Sequence, residues 1–240
     1  MQRKGKLYLI PTPLGAEGSH ALPDYVTNII QQLDIFIVEK AKTARHFVKS
    51  MQPVKPISAL TFLELNKRTT ESEWRNYLSA TEAGKDIGLL SEAGCPGIAD
   101  PGAVIVNIAH QKGITVVPMV GPSSILLALI ASGMQGQRFA FHGYLSPKRE
   151  LVGKDLKRLE QLAKKYHQTQ IFIETPYRNQ QLVEQALKVL RPDTNFCIAI
   201  DLTLPQEWIL SQSIAKWKSQ DLPNLRKRPA VFLIFGSLRR

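Results

Sequence analysis

The chain has 240 residues, 44% of them hydrophobic, which is enough for one large domain or two small ones. Its apolar runs are too short to span a bilayer, prolines interrupt the N-terminal run that a secretion signal needs, and its two distant cysteines form no zinc-binding pattern. We therefore expect a cytoplasmic protein that uses no membrane and no metal.

The formal net charge of +11 is uneven along the chain. Residues 1–120 hold 13 Lys and Arg against 11 Asp and Glu, whereas residues 121–240 hold 18 against 9. A concentrated basic surface favours an anionic partner such as nucleic acid. A solvated surface of mixed charge is an equally weighted alternative, because acidic residues interrupt the basic ones in the segment SPKRELVGKDLKRLEQLAKKYH.

Short β-rich runs alternate with helical patterns in the first half, as is typical of a parallel sheet with crossover helices on both faces. The predicted strands are KLYLI, DIFIV, KPISAL, DIGLL and ITVVPMV. The predicted helices are Pro23–Gln32, Thr43–Met51, Thr70–Ala83 and Pro101–Gln111. Asp100 is the predicted N-cap of the last helix.

The pattern changes near residue 120, so we predict an α/β protein with domains at residues 1–119 and 120–240. The predicted strands of the second domain are RFAFHGYL, TQIFIET, NFCIAIDL and AVFLIFG. A helix after GPSS, a long charged helix and a helix at Pro176–Leu190 complete it. Few helices separate the late strands, which indicates a mixed sheet.

The segment SEAGCPGIADPG follows the predicted strand DIGLL and is rich in glycine and alanine. Ligands of open parallel sheets bind beyond the carboxyl ends of the strands, and small residues allow backbone to contact a ligand there. The alternative is a tight turn without a ligand. The fingerprints GxGxxG and GxxxxGK[ST] are absent, which disfavours kinases, P-loop NTPases and typical Rossmann dehydrogenases.

Three more turns with Pro, Gly or Ser follow strands or precede helices: PTPLG, GPSS and IETPYR. Ser123 and Ser124 in GPSS are candidates either for helix capping or for contact with a polar ligand. In IETPYR, Glu174 and Arg178 are expected to organise a strand-to-helix turn. We expect these turns and the glycine-rich segment to converge on one site.

The segments LYLIPTPLG, SEAGCPGIADPG, GPSS with ALIASG, RFAFHGYLSPK and IETPYR occur in an order and spacing that resembles a known family. It is the tetrapyrrole methylase-like family of S-adenosylmethionine-dependent methyltransferases, in the branch of ribosomal RNA small-subunit methyltransferase I. The resemblance extends over nearly the whole chain and implies a two-domain homodimer with the cofactor in the cleft between the domains. The cofactor-binding positions that it implies are Leu14, Ser91, Glu92, Ala93, Gly94, Gly97, Ile98, Ser123, Ser124, Leu204 and Ala230.

The chain departs from the family's pattern on the substrate side. The departures include Ala16, Lys40, Ala41, Lys42, Lys67 and Ala230. Glu39 is retained and is our candidate general base for a hydroxyl acceptor, with Lys42 and Asn66 as groups that orient the substrate. The alternative is that Glu39 and Lys42 only pair with each other or face solvent at a helix start.

The resemblance thus implies methyl transfer from S-adenosylmethionine, with a ribose hydroxyl of ribosomal RNA as the acceptor. Two alternatives stay open. One is a small-molecule acceptor such as a tetrapyrrole, and the other is a degenerate protein that keeps the cofactor site without catalysis.

Overall fold

A computed structural model of the chain describes residues 4–236. Contacts divide the chain between Ser123 and Ser124 into two parts, which we call the first unit and the second unit. None of the helices in the described range is long and apolar enough to cross a membrane. Each unit has its own sheet and its own hydrophobic core.

The first unit contains a parallel sheet, as the sequence predicts. Its strands are β1 (Lys6–Ile10), β2 (Ile35–Val38), β3 (Thr61–Glu64), β4 (Ile87–Leu90) and β5 (Thr115–Pro118). Its α-helices are α1 (Asp24–Gln32), α2 (Ala41–Ser50), α3 (Glu71–Trp74) and α4 (Ala103–Gln111). Within residues 4–236 these strands pair in the order β3-β2-β4-β1-β5, with every pairing parallel, so their carboxyl ends share one edge.

Successive side chains of each strand point to opposite faces of this sheet, and both faces are buried. Phe36 and Val38 of β2 pack into the core that includes Ile30 of α1. Ile37, between them, packs into the opposite core with Ile105 of α4. Helices therefore cover both faces of the sheet, which confirms the predicted arrangement.

Two predicted elements of the first unit are wrong. The segment KPISAL is not the third strand: a 3-10 turn occupies Ile57–Ala59, and β3 follows it. Pro56 explains the difference, because its fixed φ and missing N–H suit the start of this turn.

The predicted helix Thr70–Ala83 is broken into the single turn α3 and a 3-10 segment at Ser79–Ala83. A capping box between Thr70 and Glu73 begins α3. Tertiary hydrogen bonds then compete with the helix, since the Tyr77 hydroxyl donates to the Glu64 carbonyl at 2.6 Å and the Gly5 N–H donates to the Thr81 carbonyl at 2.8 Å.

The second unit contains a mixed sheet, which confirms the predicted class. Its strands are β6 (Phe139–Tyr144), β7 (Thr169–Ile173), β8 (Asn195–Ile200), β9 (Trp208–Ser213) and β10 (Ala230–Phe235). Its α-helices are α5 (Ser124–Ser132), α6 (Arg149–Tyr166), α7 (Asn179–Val189) and α8 (Ile214–Trp217). In the described part of the chain the strand order is β6-β7-β10-β8-β9, where only β6 and β7 pair in parallel.

Strand β9 and helix α8 were not predicted from the sequence. The segment WILSQS forms the edge strand β9, and all of its residues are half-buried. It therefore lacks the alternation of buried and exposed residues that identifies a strand with one face on the core. The antiparallel pairing with β8 makes it a strand. Trp217 at the end of α8 is fully buried and donates from its indole N–H to the Phe196 carbonyl at 2.8 Å.

The turn after β7 is held by one ion pair. The Arg178 guanidinium lies 2.6 Å from the buried Glu174 carboxylate and also donates to the carbonyl oxygen of Ser146 at 2.8 Å. The two residues thus join the segment after β7 to the segment after β6. This is the structural role expected for them from the sequence.

Both cysteines are free. Cys95 lies half-buried in the loop after β4, and Cys197 lies in the buried strand β8. Burial raises the pKa of the Cys197 thiol to about 12, so this thiol stays protonated and unreactive at neutral pH.

Candidate active site of the first unit

Three loops of the first unit meet at Gly94. They follow β1, β4 and β5 at the carboxyl edge of the parallel sheet. Thr12, after β1, and Gly94, after β4, form an antiparallel bridge in which each N–H donates to the other's carbonyl oxygen at 3.0 Å. The thiol of Cys95 contacts the Pro122 carbonyl, after β5, at 3.6 Å.

Side-chain hydroxyls reinforce this junction. The Ser91 hydroxyl donates to the Gly94 carbonyl at 2.7 Å, and the buried Thr12 hydroxyl donates to the Ser91 carbonyl at 3.3 Å. The sequence analysis included Ser91 but not Thr12. Thr12 could have been predicted from the sequence, because it lies in the segment PTPLG.

The loop after β4 needs glycine at two points. Gly94 has φ +78°, and a Cβ there would lie 3.3 Å from Leu14 Cδ2 and 3.5 Å from the Pro122 oxygen. Gly97 has φ +80°, and a Cβ there would meet no atom within 4 Å. Gly94 therefore allows close packing of the three loops, whereas Gly97 borders open space.

Parts of the same loop are accessible to a ligand. Glu92, Ala93 and Ile98 are exposed, and Gly97 is half-buried. In the described range, the N–H group of Ala93 has no hydrogen-bond partner. The loop thus offers a free backbone donor and, at Ile98, an exposed apolar side chain.

Asp100 shapes the loop rather than capping the helix at the predicted position. Helix α4 begins at Ala103, two residues later than predicted, and Gly102 is its N-cap. The Asp100 Oδ1 atom accepts hydrogen bonds from the N–H groups of Gly97 at 2.8 Å and Gly102 at 2.7 Å. Its carboxylate thus satisfies two backbone donors while the chain between Gly97 and Gly102 forms a turn, and the first residue of the helix is shifted to Ala103.

We expect Asp100→Ala to lower the free energy of unfolding by about 2–3 kcal/mol, because two N–H groups lose a charged acceptor. Denaturant unfolding followed by circular dichroism measures the change. Asp100→Asn keeps an acceptor oxygen in the same place and is the matched control, for which most of the stability should remain. Equal losses in the two variants would contradict this role of Oδ1.

Three carboxylates gather beside the loop. Burial, followed by the charges of Asp100 and Glu92, raises the pKa of Glu39, and the ammonium of Lys40 opposes this increase. The backbone N–H of Glu92 also lowers the pKa of Glu39, but by less than these other causes. The arrangement gives Glu39 a greater proton affinity than an isolated carboxylate, which suits a general base.

Glu92 is held by the start of α2. The Thr43 hydroxyl donates to Glu92 Oε1 at 2.7 Å, and Lys40 Nζ lies 3.6 Å from Glu92 Oε2. Lys40 therefore pairs with the glycine-rich loop. In residues 4–236, Glu39 and Lys42 form no ion pair, so the alternative in which they neutralise each other is wrong.

Asn66 and Lys42 lie in different environments. The Asn66 amide donates to the Glu39 carbonyl at 3.4 Å and to Glu64 at 3.5 Å, while its oxygen accepts from the Arg68 N–H at 2.9 Å. Asn66 thus braces the segment that carries Glu39. Lys42 is exposed on α2 and is directed to solvent.

Glu64 was missed by the sequence analysis. Its Oε1 atom accepts a hydrogen bond at 2.7 Å from the N–H of Ala41, the first residue of α2. No residue pattern distinguished this carboxylate beforehand, because its role depends on the pairing of β2 with β3.

The remaining predicted cofactor positions lie at the unit boundary or in the second unit. Ser123 ends the first unit directly before α5, and Ser124 is the first residue of α5. In the second unit, the Leu204 N–H donates to the Asp201 carbonyl, and the Asp201 N–H donates to the Pro229 carbonyl beside Ala230, both at 3.0 Å. Leu204 and Ala230 therefore belong to neighbouring segments of that unit.

A parallel sheet whose carboxyl-edge loops meet at a glycine-rich segment defines an α/β ligand-binding unit of the doubly wound class. Comparison with known proteins identifies the family. The family model described as Tetrapyrrole (Corrin/Porphyrin) Methylases matches residues 6–217. The chain belongs to this family of methyltransferases.

Two curated relatives carry the name ribosomal RNA small subunit methyltransferase I. The Vibrio cholerae protein is 32% identical over 96% of this chain and 77% of its own length. The Bacillus subtilis protein is 30% identical over 90% of this chain and 71% of its own length. A crystal structure of uroporphyrin-III C-methyltransferase from Thermus thermophilus, complexed with S-adenosylhomocysteine, has the same fold, with a TM-score of 0.54 at 16% identity over 96% of this chain and 97% of that one.

Proposed function

We propose that this chain transfers a methyl group from S-adenosylmethionine to a ribose hydroxyl of small-subunit ribosomal RNA, as a homodimer in the cytoplasm. The observation that carries the proposal is the junction of three loops at Gly94, which lies near the Glu39 carboxylate, whose pKa is raised. The names of the relatives support the RNA acceptor. The basic excess of residues 121–240 also favours an anionic partner.

The residues of the first unit fit the cofactor. The open space at Gly97, the free N–H group of Ala93 and the exposed Ile98 side chain suit a ligand with an aromatic base and a polar tail. The carboxylates of Glu39, Glu92 and Asp100 complement a cationic ligand. When bound, S-adenosylmethionine supplies an activated methyl group on a positively charged sulfonium.

Glu39 acts on the acceptor. Its carboxylate would accept the proton of the acceptor hydroxyl while the oxygen forms its bond to the methyl carbon. The methyl–sulfur bond would break in the same step, and its electron pair would stay on the sulfur, which leaves as a neutral thioether. Asn66 braces the backbone carbonyl of Glu39 through its side-chain amide, at 3.4 Å. Positioning of donor and acceptor supplies much of the remaining rate increase.

The experiment combines calorimetry of S-adenosylmethionine binding with transfer of a labelled methyl group to purified small ribosomal subunits and to their RNA. We expect saturable binding and label in the RNA. A 2′-O-methyl group removes the nucleophile of alkaline cleavage, so the labelled linkage should resist alkali.

Two results would overturn parts of the proposal. Label in a tetrapyrrole and none in RNA would assign a small-molecule acceptor. Cofactor binding without transfer to any RNA fraction or tetrapyrrole would indicate a protein that retains the site without catalysis.

A further inference from the structure

Helix α2 carries a continuous basic face. Lys42, Arg45, His46 and Lys49 occupy positions i, i+3, i+4 and i+7, and all four are exposed. The opposite face of the helix, with Ala44 and Val48, is buried in the core of the first unit. The packing of α2 therefore holds these four residues, which we call the α2 basic face, towards solvent.

The charges of this face are not neutralised locally. Residues 40–63 contain five Lys and Arg and no Asp or Glu. In the described part of the chain, Lys42, Arg45 and Lys49 have no ion-pair partner, whereas Lys40 pairs with Glu92. A face of like charge without partners has an electrostatic cost that an anionic ligand removes.

The surface beside the helix is concave. The α2 basic face forms one wall of a groove whose other wall consists of Pro53, Lys55, Pro56 and Ile57. The Arg45 guanidinium lies 5.3 Å from the centre of the Phe62 ring, which limits its freedom. A groove lined by charges of one sign concentrates the field and attracts a polyanion.

This groove begins beside the candidate active site. Thr43 and Lys40, at the start of α2, contact Glu92 of the glycine-rich loop. The helix rises about 1.5 Å per residue, so Lys42 and Lys49 are separated by about 10 Å along its axis. The α2 basic face therefore extends away from the site for about 10 Å, a length that accommodates about three consecutive phosphates of one strand.

We propose that the α2 basic face binds the phosphate backbone of the RNA substrate and directs it to the site beside Glu39. The inference rests on the proposed function and adds an RNA contact surface in the first unit. The net charge along the sequence, by contrast, favours residues 121–240 as the basic region. On α6, where the basic residues of the second half are dense, acidic residues are interspersed and Asp155 lies 4.0 Å from Arg158.

The test removes two charges from the face and leaves Lys42, a candidate for substrate orientation, unchanged. The variant is Arg45→Gln with Lys49→Gln. The matched control is Lys85→Gln with Lys112→Gln, which removes the same charge from exposed residues that precede β4 and β5. Binding of fluorescently labelled small-subunit ribosomal RNA is measured over a range of salt concentrations.

We expect the Arg45 and Lys49 variant to bind this RNA roughly tenfold more weakly and to reduce the slope of log affinity against log salt by about one per residue. The control should retain the parent's affinity and slope. Equal losses in the two variants would overturn the inference, since they would reflect net charge alone. Calorimetry with S-adenosylmethionine should give the parent's affinity in both variants, which verifies that the first unit is intact.

Measurements on the parent protein distinguish failure of this inference from failure of the proposed function. Methylation of RNA by the parent, together with unchanged RNA binding by the Arg45 and Lys49 variant, would overturn only the role of α2. If the parent neither binds nor methylates RNA, the proposed function itself fails, and the inference fails with it.

Discussion

Gly94→Val should lower the affinity for S-adenosylmethionine by at least roughly 100-fold, which corresponds to about 2.7 kcal/mol. A Cβ at Gly94 would already lie 3.3 Å from Leu14 Cδ2, and the two methyl groups of valine extend further towards the loops after β1 and β5. The backbone at φ +78° adds strain for a β-branched residue. Calorimetry of cofactor binding measures the loss.

Gly113→Val is the matched control for backbone strain. Gly113 has φ +63°, but a Cβ there would have no neighbour within 4 Å, and the residue follows α4 away from the glycine-rich loop. We expect this variant to lose stability and retain cofactor binding. Parental affinity in a folded Gly94→Val protein would show that the junction of the three loops is not the cofactor site.

Glu39→Gln should lower kcat by roughly 100- to 10,000-fold, the range for removal of a general base. The parent's kcat should rise with pH through an apparent pKa above the ordinary value of about 4.3 for glutamate, because burial and the charges of Asp100 and Glu92 raise the pKa of Glu39. Methyl transfer at saturating cofactor and RNA, measured over a range of pH, gives both quantities.

Glu92→Gln tests the electrostatic cause. It removes a negative charge near Glu39 and frees Lys40 from its ion pair, and both changes favour the ionised form of Glu39. The acidic limb of the pH profile should therefore move to lower pH in this variant. Movement to higher pH, or none at all, would contradict the assignment of that limb to Glu39.

Glu39→Gln, which lowers kcat, should raise the stability of the folded protein at neutral pH. Because the pKa of Glu39 is higher in the folded than in the unfolded state, its contribution to stability is full below the unfolded pKa and is lost as pH rises through the folded pKa. Glu39→Gln avoids that loss, so its Tm should exceed the parent's at neutral pH and approach it in acid. A merely structural Glu39 would give the gain in Tm without the loss of kcat.

Local patterns predicted the elements that have strong periodicity or clear boundaries. The runs KLYLI and DIGLL became β1 and β4, because continuous apolar residues bounded by polar ones or glycine suit strands covered on both faces. Prediction failed where tertiary contacts outweighed propensity. The hydrogen bonds of Tyr77 and Thr81 interrupt the helix expected at Thr70–Ala83, and pairing with β8 makes β9 a strand.

The sequence by itself determined that a small-residue loop would follow a buried strand, and its ordered motifs identified the methyltransferase family. Only the tertiary structure decided which side chains that loop meets. Strand β4 lies between β2 and β1, so its loop lies near Glu39 on one side and contacts Thr12 on the other, although both are about 50 or more residues away in sequence. Periodicity reports which face of an element is buried, whereas the order of strands in a sheet depends on long-range packing, and that order created the site.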